Sequence, residues 1–129
     1  MSGSFGRVEP QVAIARTLAR YCHLCDDGEF EAFAELFDAD AVFTVRGREY
    51  RGREAIRAFM EAAQGPDARG KHVLGQSVVD VDGDAACAVT DYLFVTKALA
   101  VSSAGRYHDT LRRGDDGIWR FTSREIRFL

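Results

Sequence analysis

Proline, cysteine and long apolar runs are scarce in this sequence. Its 129 residues include two prolines and three cysteines. No apolar stretch approaches the roughly 20 residues that a membrane-spanning helix needs, and the polar, Gly- and Ser-rich start lacks the apolar segment of a secretory signal. An odd cysteine count argues against a disulfide framework and is typical of a reducing compartment. We therefore expect a cytoplasmic protein that has no membrane partner.

An excess of positive charge is also missing. Lys and Arg number 17 against 20 Asp and Glu, which gives a net charge of −3. A surface that binds nucleic acid needs a basic stripe, so we expect no nucleic-acid partner. A glycine-rich phosphate loop and a cluster of metal ligands are absent from the sequence as well. We therefore expect no cofactor and no metal.

Phenylalanine, by contrast, is abundant, with nine residues. So many aromatic side chains in a small chain indicate either a deep core or an apolar pocket, and composition does not separate the two. The length is that of one domain, large enough to bury roughly two thirds of its unfolded surface without a metal or disulfides. We expect a flexible N-terminal arm over residues 1–9 and a single domain over residues 10–129.

Three helical patterns occupy the first half of the chain, each with apolar residues every three or four positions. The first ends at Asp26-Asp27-Gly28, the second is short and ends at Asp38-Ala39-Asp40, and the third runs from about Arg53 to Gln64. The residues that we expect to be buried on them are Ile14, Leu18, Tyr21, Cys22 and Cys25, then Phe30, Phe33, Ala34 and Phe37, then Ile56, Phe59, Met60 and Ala63.

Strand patterns fill the remainder, and the Asp82-Gly83 turn is a strong hairpin signal. The predicted strands cover residues 41–45, a hairpin at 47–52, and four long stretches at 71–81, 85–96, 101–113 and 118–128. Helices and strands that are segregated in this way predict an α+β domain. We expect a cone-shaped, curved antiparallel or mixed sheet with three helices on its concave face, enclosing an apolar pocket.

An ordered set of short motifs resembles a known family. These motifs are Tyr21-x4-Asp26-x-Gly28, Leu36-Phe37-x2-Asp40-Ala41, Gly52-x3-Ile56, His72, Gly105-x-Tyr107-x-Asp109 and Gly117-x-Trp119-x-Phe121. Over about residues 10–128 they are similar to the SnoaL-like branch of the nuclear transport factor 2-like superfamily. The resemblance implies the α+β cone, often a homodimer through the outer sheet face. The superfamily includes dehydratases, isomerases, polyketide cyclases, epoxide hydrolases and non-catalytic subunits, so the fold does not select a reaction.

Asp26 and His72 are the candidate catalytic pair. A carboxylate that holds a histidine makes a general-base unit. The resemblance implies this role, because the two positions match the Asp–His dyad of scytalone dehydratase-like and hexachlorocyclohexane dehydrochlorinase-like enzymes. The alternative for Asp26 is a helix cap in a capping box with Glu29, and the alternative for His72 is an ordinary strand histidine.

Tyr21 and Asp109 are further candidates. Tyr21 precedes Asp26 by little more than one helical turn, so its hydroxyl can donate to a developing enolate oxygen in the same cavity; the alternative is a core aromatic. Asp109 lies on one strand face with two apolar residues and resembles the second oxyanion-hole acid of ketosteroid isomerase. The isomerase's catalytic base falls near Val45, which cannot abstract a proton, so we do not expect that mechanism.

Three weaker signals complete the candidates. Cys22 and Cys25 have C-x-x-C spacing but lie on an apolar helix face, which favours buried structural cysteines. Arg106 and Asp109 are loose candidates for the water-activating set of epoxide hydrolases. For Arg124, a position in the pocket and a position in solvent remain open.

Two classes of function follow from these expectations. The first is a cofactor-independent enzyme whose dyad abstracts a proton from a small polyketide-, steroid- or terpenoid-like substrate, which leads to dehydration, isomerisation or cyclisation. The second is a non-catalytic binding or assembly module that holds an apolar ligand or a partner in the same cone. We also expect Val79, Val89, Val95 and Val101 on the outer strand face, where they support a homodimer.

Overall fold

A computed structural model gives the fold of the chain. It describes the backbone of residues 2–129 and the side chains from residue 9 onward. Two helices come first, a β-hairpin and a third helix follow, and four long strands complete the chain, in the order that the sequence predicts. A flexible arm is expected over residues 1–9, and the side chains of residues 1–8 lie outside the described part of the chain.

The three helices are α1 (Ser2–Asp26), α2 (Phe30–Ala34) and α3 (Arg53–Ala63). All five residues of the predicted apolar face of α1 are buried. On α3, Ile56 and Met60 are buried and Phe59 is partly buried, whereas Ala63, at the end of the helix, is exposed. Within residues 2–129, no helix has both the length and the apolar character that crossing a membrane requires.

The second helix is shorter than predicted. It ends at Ala34, and Phe37, assigned to that helix from its spacing, is instead the first residue of a strand. Phe37 is nevertheless fully buried. An inward-facing strand residue that follows a short helix can have the same spacing as the residues of a helical face. The spacing therefore predicts the burial of Phe37 correctly and its secondary structure wrongly.

The six strands are β1 (Phe37–Val45), β2 (Arg48–Arg51), β3 (Lys71–Asp82), β4 (Ala85–Val95), β5 (Val101–Arg113) and β6 (Trp119–Phe128). They form one sheet in the order β2-β1-β6-β5-β4-β3. Only the β1–β6 pair is parallel among these strands, so the sheet is mixed. It is curved and not closed into a barrel, and the three helices pack on it, which confirms the predicted α+β fold.

The strand directions bring one set of strand ends together. Because β1 runs parallel to β6 and the other long neighbours alternate, β1, β4 and β6 end where β3 and β5 begin. We call this side of the sheet the cavity end. Side chains that are far apart in the chain therefore meet there, among them Val45, His72, Ser102 and Phe128.

A register shift in β3 corrects one prediction about the outer face. Leu74 pairs with Tyr92 and Ser77 pairs with Thr90, so β3 has one extra residue at this point. Such a bulge reverses which side chains face inward. Val79 consequently packs against the core rather than lying on the outer face, while Val78 is exposed.

Candidate active site

A cavity of about 250 Å³ lies at the cavity end of the sheet, where α1 and α3 cover the strand ends. His72 and the three tyrosines Tyr21, Tyr92 and Tyr107 line it. Its other walls are largely apolar, formed by Val45, Phe59, Met60, Phe94, Ile126 and Phe128. Composition left open whether the phenylalanines form a core or a pocket, and they do both. Some line this cavity, and others, such as Phe33 and Phe121, form the core.

Asp26 and His72 meet at this cavity. The Oδ1 atom of Asp26 lies 2.6 Å from Nδ1 of His72. The Oδ2 atom accepts a second hydrogen bond, at 3.0 Å, from the backbone N–H of the same histidine. The Asp26 side chain is 3% exposed and the His72 side chain is 8% exposed. The structure thus brings together the two residues that the sequence predicts as a dyad.

The topology explains why this contact forms. β3 is an edge strand of the sheet, so every second backbone N–H along it has no strand partner. Asp26 is the last residue of α1, and α1 packs along β3. Its carboxylate satisfies the edge N–H of His72 and at the same time binds the imidazole.

The hydrogen bond assigns the tautomer of His72. An ionised carboxylate only accepts, so Nδ1 carries the proton and the lone pair is on Nε2. Among the described residues, none hydrogen-bonds to Nε2. The ring contacts Phe94, with centroids 4.8 Å apart and planes at 67°, and has Tyr21 at 6.1 Å. These aromatic contacts hold the ring at the wall of the cavity with its basic nitrogen free.

The capping alternative for Asp26 is wrong. Residue Glu29, not Asp26, occupies the N-cap position of α2, and no side chain caps that helix. Both oxygens of Asp26 are used by His72. The carboxylate is therefore committed to the histidine.

Tyr21 contributes a neutral phenol to the same cavity. It is 1% exposed and touches the rings of Phe33 and Tyr107 at 5.1 and 5.6 Å. Burial raises the pKa of Tyr21 well above its ordinary value, although the positive charge of Arg124 works in the opposite direction. A phenol that stays protonated is a hydrogen-bond donor to an oxyanion, which is the role predicted for it.

Asp109 does not belong to the cavity wall. Its two oxygens accept hydrogen bonds from Nε and Nη2 of Arg124, at 2.7 and 2.9 Å, and both side chains have no exposure. An oxyanion-hole acid must be protonated and must face the ligand, so this ion pair contradicts the predicted role. Asp109 is instead the buried counterion of Arg124.

The Arg124 guanidinium fills the space between the cavity and the core. Its central carbon lies 3.7 Å from the centroid of Tyr107 and 4.1 Å from that of Tyr21. Burial alone lowers the pKa of Arg124, but the Asp109 carboxylate outweighs it and the net shift is upward. Arg124 is thus a permanent cation that backs two of the cavity tyrosines.

Strand alternation alone does not find Arg124. Leu111 pairs with Phe121 and Thr110 pairs with Ser123, so Thr122 is an extra residue in β6. This bulge turns Arg124 inward, whereas unbroken alternation from Phe121 points it to solvent. Tyr92 and Phe94 were also missed, but they follow regular alternation along β4 and could have been found from it.

A second, larger groove of about 610 Å³ lies on the outer face of the sheet. Arg106 lines it and is paired there with Asp91, at 2.6 Å between Nε and Oδ1. Arg106 and Asp109 therefore lie on opposite faces, and they do not form the water-activating set of an epoxide hydrolase. The smaller cavity is the candidate active site because His72 lines it, with Asp26 hydrogen-bonded behind the imidazole.

The C-x-x-C pair is structural, as predicted. Cys22 and Cys25 are free and buried, while Cys87 is exposed. Burial raises the pKa of Cys22 to about 11 and raises that of Cys25 as well. Neither thiol is a nucleophile at neutral pH. Among the described side chains, no three His, Cys, Asp or Glu residues are arranged to hold a metal ion.

Comparison with known proteins identifies the family. Residues 6–125 match the sequence profile of the SnoaL-like domain. The chain belongs to the SnoaL-like domain family. The resemblance predicted from the motifs is therefore confirmed. A comparison with curated proteins gives no match.

The SnoaL-like chain is also similar to solved structures. A variant of Rv3472, a function-unknown protein from Mycobacterium tuberculosis, is 28% identical with a TM-score of 0.90, and the match covers 98% of this chain and 76% of that one. A nuclear transport factor 2-like protein with a cystatin-like fold from Novosphingobium aromaticivorans is 29% identical, with a TM-score of 0.85 and coverages of 99% and 87%. A candidate scytalone dehydratase from the same organism is 22% identical, with a TM-score of 0.85 and coverages of 98% and 88%.

Proposed function

We propose that this SnoaL-like protein is a cofactor-independent enzyme that removes a carbon-bound proton from a small hydrophobic substrate, with His72 as the general base and Asp26 as its partner. The reaction is a dehydration, an isomerisation or a cyclisation of a polyketide-, steroid- or terpenoid-like molecule. The observation that carries the proposal is the 2.6 Å contact between Asp26 and Nδ1 of His72 at the wall of an apolar cavity. The likeness to a candidate scytalone dehydratase supports a dehydration among these reactions.

The geometry supports a proton abstraction in which every group has a role. The C–H bond of the substrate breaks, its proton moves to Nε2 of His72, and the electron pair moves toward an adjacent carbonyl oxygen. The Asp26 carboxylate stabilises the imidazolium that forms. The neutral phenol of Tyr21 donates a hydrogen bond to the developing enolate oxygen.

The fate of the enolate determines the product. Loss of a hydroxyl group from the neighbouring carbon gives a dehydration, with the imidazolium returning its proton to the leaving oxygen. Return of the proton to a different carbon gives an isomerisation. Attack of the enolate on a second carbonyl carbon gives a cyclisation, in which the imidazolium returns its proton to the oxygen of that carbonyl. All three share the first step, so a test of that step does not depend on the natural substrate.

Exchange of α-hydrogens for deuterium in a bicyclic ketone tests the first step directly. In D₂O, ¹H NMR measures the rate at which 2-tetralone loses its α-hydrogen signal. We expect the wild-type protein to accelerate the exchange, and His72→Ala to lower the rate by about 10²–10⁴-fold. His23→Ala is the matched control, because His23 is exposed on the surface of α1.

An unchanged rate in His72→Ala contradicts the proposal. So does a wild-type protein that binds 2-tetralone and related polyketide-like or terpenoid ketones without accelerating exchange in any of them. That result favours the non-catalytic binding module, which uses the same cavity without a base.

A further inference from the structure

The cavity carries a net positive charge at its mouth. Among its lining residues, which all lie in the described part of the chain, Arg46 is the only one with a permanent charge. No carboxylate lines it, because Asp26 lies behind His72 and Asp109 is paired with Arg124. A ligand that enters therefore meets one cation and no anion.

Arg46 is held at the mouth by its local structure. It lies in the turn between β1 and β2 with a φ of 52°, an unusual value for a residue other than glycine. Its guanidinium carbon lies 4.5 Å from the centroid of the Phe128 ring, which also lines the cavity. Stacking on an aromatic ring holds the planar guanidinium in place and leaves its N–H groups available at the ring edge.

Arg46 also differs from most other arginines of the described chain. Arg57, Arg106 and Arg120 are each paired with a carboxylate on the surface. Within the described residues, the Arg46 guanidinium donates no hydrogen bond to a carboxylate or to a backbone carbonyl, and it stacks on the Phe128 ring instead. Its charge is therefore free to act on a ligand.

A second polar group at this end of the cavity lacks a partner. The side-chain oxygen of Gln64, just after α3, is buried without a hydrogen bond from any described residue. Gln64 lines the same cavity as Arg46. Buried polar atoms are nearly always paired, and an amide oxygen only accepts, so this atom indicates a hydrogen-bond donor, such as a hydroxyl group beside the anionic group of the ligand.

We propose that the cavity selects aromatic acids, with the aromatic rings among its apolar side chains and the anionic group paired with Arg46 at the mouth. This inference rests on the proposed function, since it names the substrate class of the same site. The ring system lies against residues such as Phe59 and Phe94, beside His72. The anion remains at the solvent side, where its desolvation cost is smallest.

A pair of probes that share their rings and differ in one group, charged in the first and neutral in the second, tests this selection. The probes are 2-naphthoate and 2-naphthamide, which have the same rings and nearly the same size, and their binding is measured by fluorescence or calorimetric titration. We expect the wild-type protein to bind the naphthoate about tenfold more tightly, as for one charge-assisted hydrogen bond. The preference falls as salt concentration rises, because the pair lies at the surface.

The variant Arg46→Met removes the charge and keeps the aliphatic contact with Phe128. We expect it to bind the two probes equally, through weaker binding of the naphthoate alone. Unchanged binding of the naphthamide shows that the variant is folded. Arg48→Met is the matched control, because Arg48 is exposed in the next strand and does not line the cavity; we expect it to keep the tenfold preference.

A preference that persists in Arg46→Met, or a wild-type protein without one, overturns the inference. The titration requires no turnover, so it separates this inference from the proposed reaction. In His72→Ala we expect the preference for naphthoate to remain even though proton abstraction is lost. If His72→Ala, in which Arg46 is unchanged, loses the preference, then the anion pairs with His72 and the inference is overturned.

Discussion

The Asp26 carboxylate accepts two hydrogen bonds from one residue, and each has its own consequence. The bond to the backbone N–H of His72 satisfies a donor at the sheet edge, which concerns stability. The bond to Nδ1 determines which ring nitrogen carries the proton, which concerns chemistry. A substitution that keeps the first bond and changes the second separates the two.

The variant Asp26→Asn makes this separation. Its amide oxygen can still accept from the backbone N–H, but its NH₂ group faces Nδ1 as a donor. The proton of the imidazole then moves to Nε2, which no longer acts as a base. We expect a fold like that of the wild type, a free energy of unfolding lower by about 1–3 kcal/mol, and a loss of α-hydrogen exchange by several orders of magnitude, by analogy with other His–Asp units.

¹⁵N NMR of the His72 ring shows the change of tautomer, and urea unfolding gives the stability. A useful comparison is Asp26→Leu, which loses both hydrogen bonds and is expected to be less stable than the Asn variant. If Asp26→Asn retains the wild-type tautomer and activity, Asp26 is not the partner of the base.

Buried thiols and phenols make the protein sensitive to alkali. The pKa of Cys22 is about 11 in the folded state against an ordinary value of 9.0. Above pH 9 the unfolded chain therefore releases the thiol proton while the folded chain keeps it, and the free energy of unfolding falls as pH rises toward 11. We expect urea midpoints to fall over this range.

The variant Cys22→Ala is expected to make that decline shallower without removing it, because burial also raises the pKa of Cys25. The matched control is Cys87→Ala, because Cys87 is exposed and its thiol is not desolvated in the folded state.

In the wild type at pH 8, a thiol reagent should modify Cys87 rapidly and should modify Cys22 and Cys25 only after unfolding. Rapid modification of all three contradicts the burial of the pair.

At the scale of the helices and strands, bulges decide which side chains face the core. The apolar face of α1 was predictable because a helix keeps its period over many residues. The inward position of Asp109 also followed from alternation along β5. Its partner Arg124 did not, because one extra residue in β6 reverses the alternation there. A bulge depends on contacts between strands, so one strand's sequence does not reveal it.

The cross-strand pair of Asp109 and Arg124 gives an element-level prediction. In Arg124→Met, a carboxylate with no exposure loses its counterion. We expect the free energy of unfolding to fall by about 3–5 kcal/mol, measured by urea denaturation.

The double variant Asp109→Leu, Arg124→Met removes both charges. We expect it to recover much of that loss, because an apolar pair of similar volume has no desolvation cost. A single variant as stable as the wild type shows that the pair contributes nothing. A double variant only as stable as Arg124→Met shows that the unpaired carboxylate is not the source of the loss, and it assigns the loss to the guanidinium stack on Tyr21 and Tyr107.

For the whole molecule, the order of elements and the family were predictable from the sequence, whereas the composition of the cavity mouth was not. The helices, the long strands and the dyad positions lie in segments with strong patterns or motifs. Arg46 and Gln64 lie at element ends, where no periodicity applies. They meet only because the strand directions bring those ends together.

The outer face of the sheet predicts a homodimer. Val73 and Leu93 are register partners there and are 48% and 42% exposed, and Val101 is 58% exposed. Exposed apolar groups that are contiguous commonly mark contacts. We expect sedimentation at micromolar concentration to give twice the chain mass of 14.3 kDa. Leu93→Lys should shift the protein to the monomer, while Val12→Lys, on the exposed side of α1, should not. A wild-type mass equal to that of one chain contradicts the dimer.

The dyad joins the end of a helix to the outermost strand of the sheet. Helix ends and edge strands fray first when a protein is warmed. Fraying of this corner separates Asp26 from His72 while the central strands remain paired. Heat inactivation is therefore expected at a lower temperature than the loss of the circular dichroism signal. Ligands that bridge the cavity should raise the temperature of inactivation toward the temperature at which that signal is lost.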